Sequence, residues 1–367
     1  MVSIEGSRAP ARLRAGAVLG LGALLVAAPL ATAQGKRALP PLPKVATTSS
    51  PIALSPDGKT VWVVNPDANN VSVIRTDTNR VIRNISTDRD PRAVAIEPRG
   101  KFAYVANPED NSVTIIQIQN PDPKRFKARR VKDLVTGAEP WHVVASPDGK
   151  RVFVSNSGQD TVTVINTATN RIIGSVNIGD SVCNDPDRTR HFQPRGLAVT
   201  GNSRLLYVTS FFSFTKPGGR QATDTGRAGA VCQVRINTAA TAIGGYRATR
   251  RVSLEPQLTG FNIDSTGDGV ADPTSAFPNQ LQSIVIRGNQ AYLPNIAASP
   301  SGPLRFNVDT HAFVSVIDGI NGGSPSDAGS AKFLNLHLGA RNPEAGKDKL
   351  FFANVWAVGF ARRGSTE

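Results

Sequence analysis

Apolar and polar residues alternate in short runs along most of this chain, and the runs recur in sets. Val61-Trp-Val-Val64, Val71-Ser-Val-Ile74 and 81–85 are such runs, separated by Asp67-Ala-Asn-Asn70 and Thr76-Asp-Thr-Asn79. Period-2 runs between turn-forming residues predict antiparallel strands joined by tight turns. A Pro-led run opens each set. Pro51-Ile-Ala-Leu-Ser-Pro-Asp-Gly-Lys-Thr-Val-Trp-Val-Val-Asn65 returns at 91–107 and 140–156, and more loosely at 194–210 and 281–295. The copies ending at Asn65 and Asn107 set a period of about 40 residues, which in a strand-dense chain predicts propeller blades.

Each unit reads as four strands. The first is the Pro-led run, and the turn after it is Ser55-Pro-Asp-Gly58, Glu97-Pro-Arg-Gly100 or Ser146-Pro-Asp-Gly149. Proline presets φ at the second turn position, and glycine suits the fourth. The second strand alternates aromatic residues with Val, as in Val152-Phe-Val154, and the third is Val113-Thr-Ile-Ile116 or Val162-Thr-Val-Ile165. A fourth strand, as at 172–176, completes the blade. One blade cannot bury both of its faces, so several must stack around an axis. The expected class is all-β, a β-propeller of four-stranded antiparallel blades at about 51–90, 91–139, 140–193, 194–278 and 279–352.

The Tyr104-Val-Ala-Asn107 and Tyr207-Val-Thr-Ser210 segments, each behind a Pro-led strand, make the chain resemble the YVTN-type β-propeller repeat family. The Ser-Pro-Asp-Gly turns strengthen the resemblance, which spans 44–360 and is tightest over 51–178. It implies a propeller and leaves the activity open. Related propellers include lactonase-like hydrolases, subunits of quinone- or haem-dependent dehydrogenases, and binding or surface proteins. It also implies closure of the ring by an N-terminal strand, for which Lys44-Val-Ala-Thr47 is the candidate. Asn354-Val-Trp-Ala-Val-Gly-Phe360 reads as the start of a partial sixth blade over 353–367. The expectation is an unfinished ring from a truncated or frameshifted propeller, whose open edge favours association.

The N-terminus reads as an export leader over 1–33. Arg8, Arg12 and Arg14 precede the apolar stretch 15–30, and Ala31-Thr-Ala33 is a small-residue cleavage site before Gln34. Residues 34–43 read as a linker and 44–367 as the propeller domain. The leader is short for a spanning helix and Pro29 interrupts it, so the expected location is periplasmic or extracellular, with no later membrane span. The formal net charge is +14. Loss of Arg8, Arg12, Arg14 and Glu5 with the leader leaves about +12. Lys124, Arg125, Lys127, Arg129, Arg130 and Lys132 form the densest basic run. The run reads either as a surface for anionic partners or as a solvated outer strand, the second being preferred. Export disfavours a nucleic-acid partner.

Long insertions at 179–193, 211–230, 257–278 and 296–310 interrupt the later units. Blade-to-blade connections and turns between strands two and three share one face of a propeller, so all four are expected on that face. Long loops on a rigid scaffold usually carry function. Cys183 and Cys232 both map beside this face, the second at the start of the fourth blade's third strand. In an oxidising compartment they invite a disulfide, with two buried thiols as the alternative. The chain has no Cys-x-x-Cys-His, so no covalent haem is expected on it.

Asp264, Thr266 and Asp268 alternate, Gly269 allows a sharp turn, Val270 offers a carbonyl and Asp272 follows. This is the first part of an EF-hand-like calcium loop, but Ser275 stands where the closing glutamate belongs. A calcium site and a simple Asx/Gly turn are both open readings. Arg92, His142 and Arg195 are expected to line the channel mouth, where they either hold an anionic ligand or fill the channel. Neither a Gly-x-Ser-x-Gly elbow nor a His-Glu-x-x-His pattern occurs. Asp185, Asp187 and His191, with Arg188 and Arg190, form a polar cluster suited to acid–base work or to a solvated loop. The expected function is an exported, non-catalytic propeller that binds a protein or small anionic ligand, a redox module included, through the insertion-bearing face. The alternative is a lactonase-like hydrolase or a dehydrogenase subunit.

Overall fold

A computed structural model describes residues 51–184, 191–264, 267–301, 309–336 and 354–360. The leader, the 44–47 strand candidate and the cluster at 185–190 lie outside the described residues. Among those described, the chain is almost wholly strand and turn, arranged as a β-propeller whose ring is not closed.

Blade one comprises β1 (Ile52–Leu54), β2 (Thr60–Asn65), β3 (Asn70–Arg75) and β4 (Val81–Ser86). Blade two comprises β5 (Ala93–Ile96), β6 (Phe102–Asn107), β7 (Ser112–Asn120) and β8 (Lys127–Val135). Blade three comprises β9 (Pro140–Ala145), β10 (Arg151–Asn156), β11 (Thr161–Asn166) and β12 (Arg171–Asn177). Each of these sheets is antiparallel with its strands in chain order. Blade four holds β13 (Pro194–Val199), β14 (Leu205–Ser210), β16 (Arg227–Arg235) and β17 (Arg247–Leu254), with the short β15 (Phe214–Thr215) paired to the start of β16. A separate hairpin, β18 (Gln257–Ile263) with β19 (Asp272–Ala276), precedes blade five. Blade five is β20 (Val285–Arg287), β21 (Gln290–Ala298) and β22 (Thr310–Asp318), with β23 (Ser326–Asp327) and β24 (Leu334–Asn335) as separate edge pieces. The first strands border one another in the order β1, β5, β9, β13, β20.

The repeated phrase has a physical reading. Ser55 Oγ donates to Asp57 Oδ1 at 2.6 Å, and Ser146 Oγ does the same to Asp148 Oδ1 at 2.6 Å, which fixes each turn. The fourth turn residue has positive φ: Gly58, Gly100 and Gly149 at 72°, 68° and 68°, and Ser203 at 56° in the looser copy. The phrase-ending asparagine bonds across to strand three. Asn107 Nδ2 donates to Thr114 Oγ1 at 3.0 Å, Asn156 Nδ2 to Thr163 Oγ1 at 2.8 Å, and Asn295 Nδ2 to Ser315 Oγ at 3.1 Å.

Alternation gives every inner blade two apolar faces. Trp62, Val64, Val71 and Val73 of blade one meet Val94, Ile96, Val105 and Ile116 of blade two. Tyr104, Val113 and Ile115 meet Val143, Val152 and Ile165. Phe153, Val162 and Val164 meet Leu197, Leu206 and Val208. Tyr207, Val231 and Leu254 meet Leu281, Ala291 and Leu293. Burying such side chains is worth about 1.5–3 kcal/mol each, and this is the main force between blades.

A second link is polar and periodic. Asn69, Asn111 and Asp160, in the turns between strands two and three, have φ of 50°, 52° and 52°. Asn and Asp tolerate this left-handed region better than other side chains. Their Oδ1 atoms accept the backbone N–H of Asp90, Glu139 and Gln193, just ahead of the next blade, at 2.9, 2.9 and 2.7 Å. Their carbonyls accept from Thr87, Thr136 and Ile178 at 2.9 Å each. In blades one to three, one residue thus latches the start of the next blade. Sequence reading places these residues only as turn formers.

Several expectations need correction. Cys232 does not begin the third strand; it is the sixth residue of β16, because β15 draws the strand back to Arg227. The insertion therefore ends before 227, not at 230. Residues 257–278 hold a hairpin of their own. Blade five enters its second strand through Gly288-Asn289, with Gly288 at φ 61°, not through a Pro-Asp-Gly turn. Its fourth strand is two short pieces, separated by 328–333, where a 3-10 turn at Gly329–Ala331 breaks the pairing. Residues 354–360 form no strand, so the sixth-blade strand is absent there. They cross blade five instead: the Trp356 carbonyl accepts from Ser283 Oγ at 2.9 Å, and Phe360 sits edge-on to Tyr292 at 4.8 Å.

Candidate functional site

The latches define one face of the disc, since each joins a strand two–three turn to a blade-to-blade connection. The insertions follow the same two connection types and so gather on that face. They are bonded to each other as well as to the frame. Asp224 and Ser301 exchange bonds: the Asp224 N–H donates to Ser301 Oγ at 3.0 Å, and the Ser301 N–H donates to Asp224 Oδ1 at 2.8 Å. The Ser213 N–H donates to Asn279 Oδ1 at 2.9 Å. Lys216 pairs with Glu255 at 2.5 Å. Asn335 Nδ2 donates to the Thr259 carbonyl at 2.8 Å. The loops of blades four and five therefore form one layer.

Cys183 and Cys232 form a disulfide with a Cα–Cα distance of 5.3 Å. Both residues are fully buried, in the cluster that also holds Phe192 and Phe214. The bridge ties the first part of the 179–193 insertion to the middle of β16.

Of the residues expected at the channel mouth, the structure brings Arg92 and Arg195 close to Trp141. The Arg195 guanidinium carbon lies 3.6 Å from the Trp141 ring centre and 4.6 Å from that of Phe211; Arg92 lies 5.6 Å from Trp141. Arg92 is already paired, with its Nε 2.8 Å from Asp90 Oδ1. Arg195 is different: its Nε and Nη1 are out of solvent and make no hydrogen bond. Burial pushes its pKa down to about 10, against the pull of Glu139 and with the repulsion of Arg92. His142 is buried. Its backbone N–H donates to Ser155 Oγ at 3.1 Å, and that hydroxyl donates to the Arg195 carbonyl at 2.8 Å. Phe211 comes from the insertion after β14, and nothing in its local pattern marks it for this place.

His191 is held by Asp160. Its Nδ1 is 3.0 Å from Asp160 Oδ2, with the imidazole 80% exposed and the carboxylate 9% exposed. In blades one and two the equivalent latch residue is asparagine. An amide satisfies the latch, so the aspartate of blade three adds one thing: a second acceptor, which takes His191. The partners proposed from sequence at 185 and 187 lie outside the described residues.

In the candidate calcium loop, Asp264 Oδ1 accepts from Gly267 N–H at 2.6 Å and its Oδ2 from Gly269 N–H at 2.9 Å; Asp268 Oδ1 accepts from Val270 N–H at 2.8 Å. Thr266 is outside the described residues, and Asp272 begins β19. Among the described residues no three His, Cys, Asp or Glu side chains gather as a metal set.

The basic run lies at the outer rim, on β8 and just before it. Arg130 pairs with Asp88 and Asp133, and Arg125 with Asp122 at 3.3 Å. Outer strands with exposed Lys and Arg resist edge-to-edge pairing. No described helix is long and apolar enough to cross a membrane.

Comparison with known proteins agrees with this architecture. The family model described as lactonase, 7-bladed beta-propeller, matches residues 27–129. No curated protein matches the chain. Among solved structures, hydrazine synthase of Kuenenia stuttgartiensis is similar over 81% of this chain and 69% of its own, with 19% identity and a TM-score of 0.54. A putative 6-phosphogluconolactonase from Bacteroides uniformis is similar over 76% of this chain and 68% of its own, with 12% identity and a TM-score of 0.44. In sequence the first two blades are similar to lactonase-type propellers, and in structure the chain shares the propeller fold.

Proposed function

We propose that the chain is an exported binding protein that engages a protein or a small anionic ligand through its insertion-bearing face, with a redox module as one class of partner. The observation that carries this reading is the single bonded layer of insertions on one face. Four of the ten large apolar side chains exposed among the described residues support it: Val182, Phe212, Leu258 and Val270 belong to these insertions, with exposures of 64%, 40%, 61% and 61%. Apolar groups gathered on one face mark an interaction surface. The disulfide favours an oxidising compartment and so supports export.

Photo-cross-linking in the producing cell tests the reading. A photoreactive residue at position 212 or 258 is expected to give one adduct of defined mass, and the same residue at position 83 on the outer strand none. Adducts at all three positions, or at none, would reject a dedicated face.

One observation favours a second, hydrolytic reading: the Asp160–His191 pair, a buried carboxylate orienting an exposed imidazole. Such a pair suits general base catalysis. The family match over the first two blades agrees with it. Asp160→Asn restores the residue used in blades one and two and so keeps the latch. On this reading the protein turns over members of a lactone and ester panel, and Asp160→Asn lowers kcat about 100-fold. An inactive wild-type protein would remove the reading.

A further inference from the structure

Among the described residues, Arg195 is the side chain with two buried nitrogens that make no hydrogen bond. A guanidinium carries five N–H donors and accepts nothing, so a buried one needs oxygen partners. Here Nε and Nη1 have none. These two donors belong to different edges of the guanidinium, Nε beside Nη2 and Nη1 beside Nη2, and each edge matches the two oxygens of a carboxylate. Two rings lie against the group, Trp141 at 3.6 Å and Phe211 at 4.6 Å. The aromatic walls keep water from Nε and Nη1, so these donors stay unsatisfied until a ligand enters between the rings and the edges.

The local charge selects among anions. Arg92 and Arg195 bring two positive charges; Asp90, paired with Arg92, and Glu139, acting on Arg195 from outside ion-pair distance, bring two negative ones. The set is already neutral, so the single added charge of a monoanion is tolerated better than the two of a phosphate dianion. The surroundings select the body of the ligand. Phe212 lies 4.5 Å from Phe211, ring centre to ring centre, and is 40% exposed, which extends an aromatic surface outward from the guanidinium.

The geometry points to Arg195 as the binding site of a small monocarboxylate with an aromatic or similarly flat apolar body, held edge-on by the guanidinium and flanked by Phe211 and Phe212. This rests on the reading of the insertion-bearing face as a binding face, and it specifies the ligand class at one place on it.

Calorimetry on the purified mature protein tests the site with three probes: benzoate, benzamide and inorganic phosphate. Benzoate is expected to bind one per chain. Benzamide, which has the shape without the charge, is expected to give no saturable heat, and phosphate to leave the benzoate titration unchanged. Arg195→Gln should weaken benzoate about 30-fold or more. Arg195→Lys should also weaken it, because lysine keeps the charge but lacks the paired donors. If either variant fails to fold, the Nε–H resonance of Arg195 in the wild-type protein supplies the readout and should shift on adding benzoate. Wild-type protein that ignores benzoate, equal binding of benzamide, displacement by phosphate, or unchanged affinity in Arg195→Gln would each overturn the assignment. Cross-links from position 212 would survive such a result, so the site and the face fail separately.

Discussion

Cys183→Ser and Cys232→Ser each lower native stability by about 4 kcal/mol, the loop-closure entropy of a bridge of this span. The bridge joins residues 49 apart in sequence, so the unfolded chain gains much freedom when it is cut. The native side adds to the loss. Each serine variant leaves a hydroxyl and a lone thiol inside an apolar cluster with Phe192 and Phe214. Denaturant unfolding of the variants without reductant, and of the wild type with it, checks the figure. A loss below 1 kcal/mol would mean that the 179–184 segment is held by packing alone. The loss should be accompanied by proteolytic cutting within the 179–193 insertion before any cut in blades one to three, because the bridge is what pins that segment to β16.

Gly196→Ala is expected to cost on the order of 3 kcal/mol. A Cβ built at Gly196 falls 2.8 Å from the Ser283 Cα and 2.9 Å from its carbonyl carbon. Both are backbone atoms, so no rotamer change relieves the contact and blade five must move away from blade four. The Gly196 N–H donates to Thr209 Oγ1 at 2.8 Å, and that hydroxyl donates to the Leu281 carbonyl at 2.7 Å, so the displacement strains a buried chain of bonds as well. Thermal unfolding gives the magnitude. The neighbouring Arg195 makes benzoate titration a second readout, expected to weaken with the same substitution. An alanine variant that melts with the wild type would show that the two blades are free to separate.

The fold was legible because its rules are local. Alternation, Pro-Asp-Gly turns and the recurring asparagine each act within a few residues, and they identify strands, turns and period. The face that carries the insertions was legible for the same reason, since strand order within a blade decides where each connection emerges. Blade five was harder, because Gly288-Asn289 replaces the usual turn and the 3-10 turn at Gly329–Ala331 breaks the outer strand. The site was legible only in part. The repeat register puts Arg92 and Arg195 at equivalent places, yet the pairing of Arg92 with Asp90 and the lack of partners on Arg195 depend on three-dimensional neighbours. Phe211 stands in an insertion with no repeat to align it. The role of Asp160 was hidden for another reason: as a turn former it looks like Asn69 and Asn111, and only the position of His191 separates them.

The latch between blades also fixes an order of assembly. Asn69, Asn111 and Asp160 each wait for an N–H 21, 28 or 33 residues further along the chain. A chain delivered N-terminus first therefore seals each blade as the opening residues of the next one appear. No latch requires the two ends of the protein to meet. Folding can proceed as a series of short closures, each with a modest entropic barrier. The arc grows by accretion, and its early blades are shielded from wrong partners while the later ones are still being made.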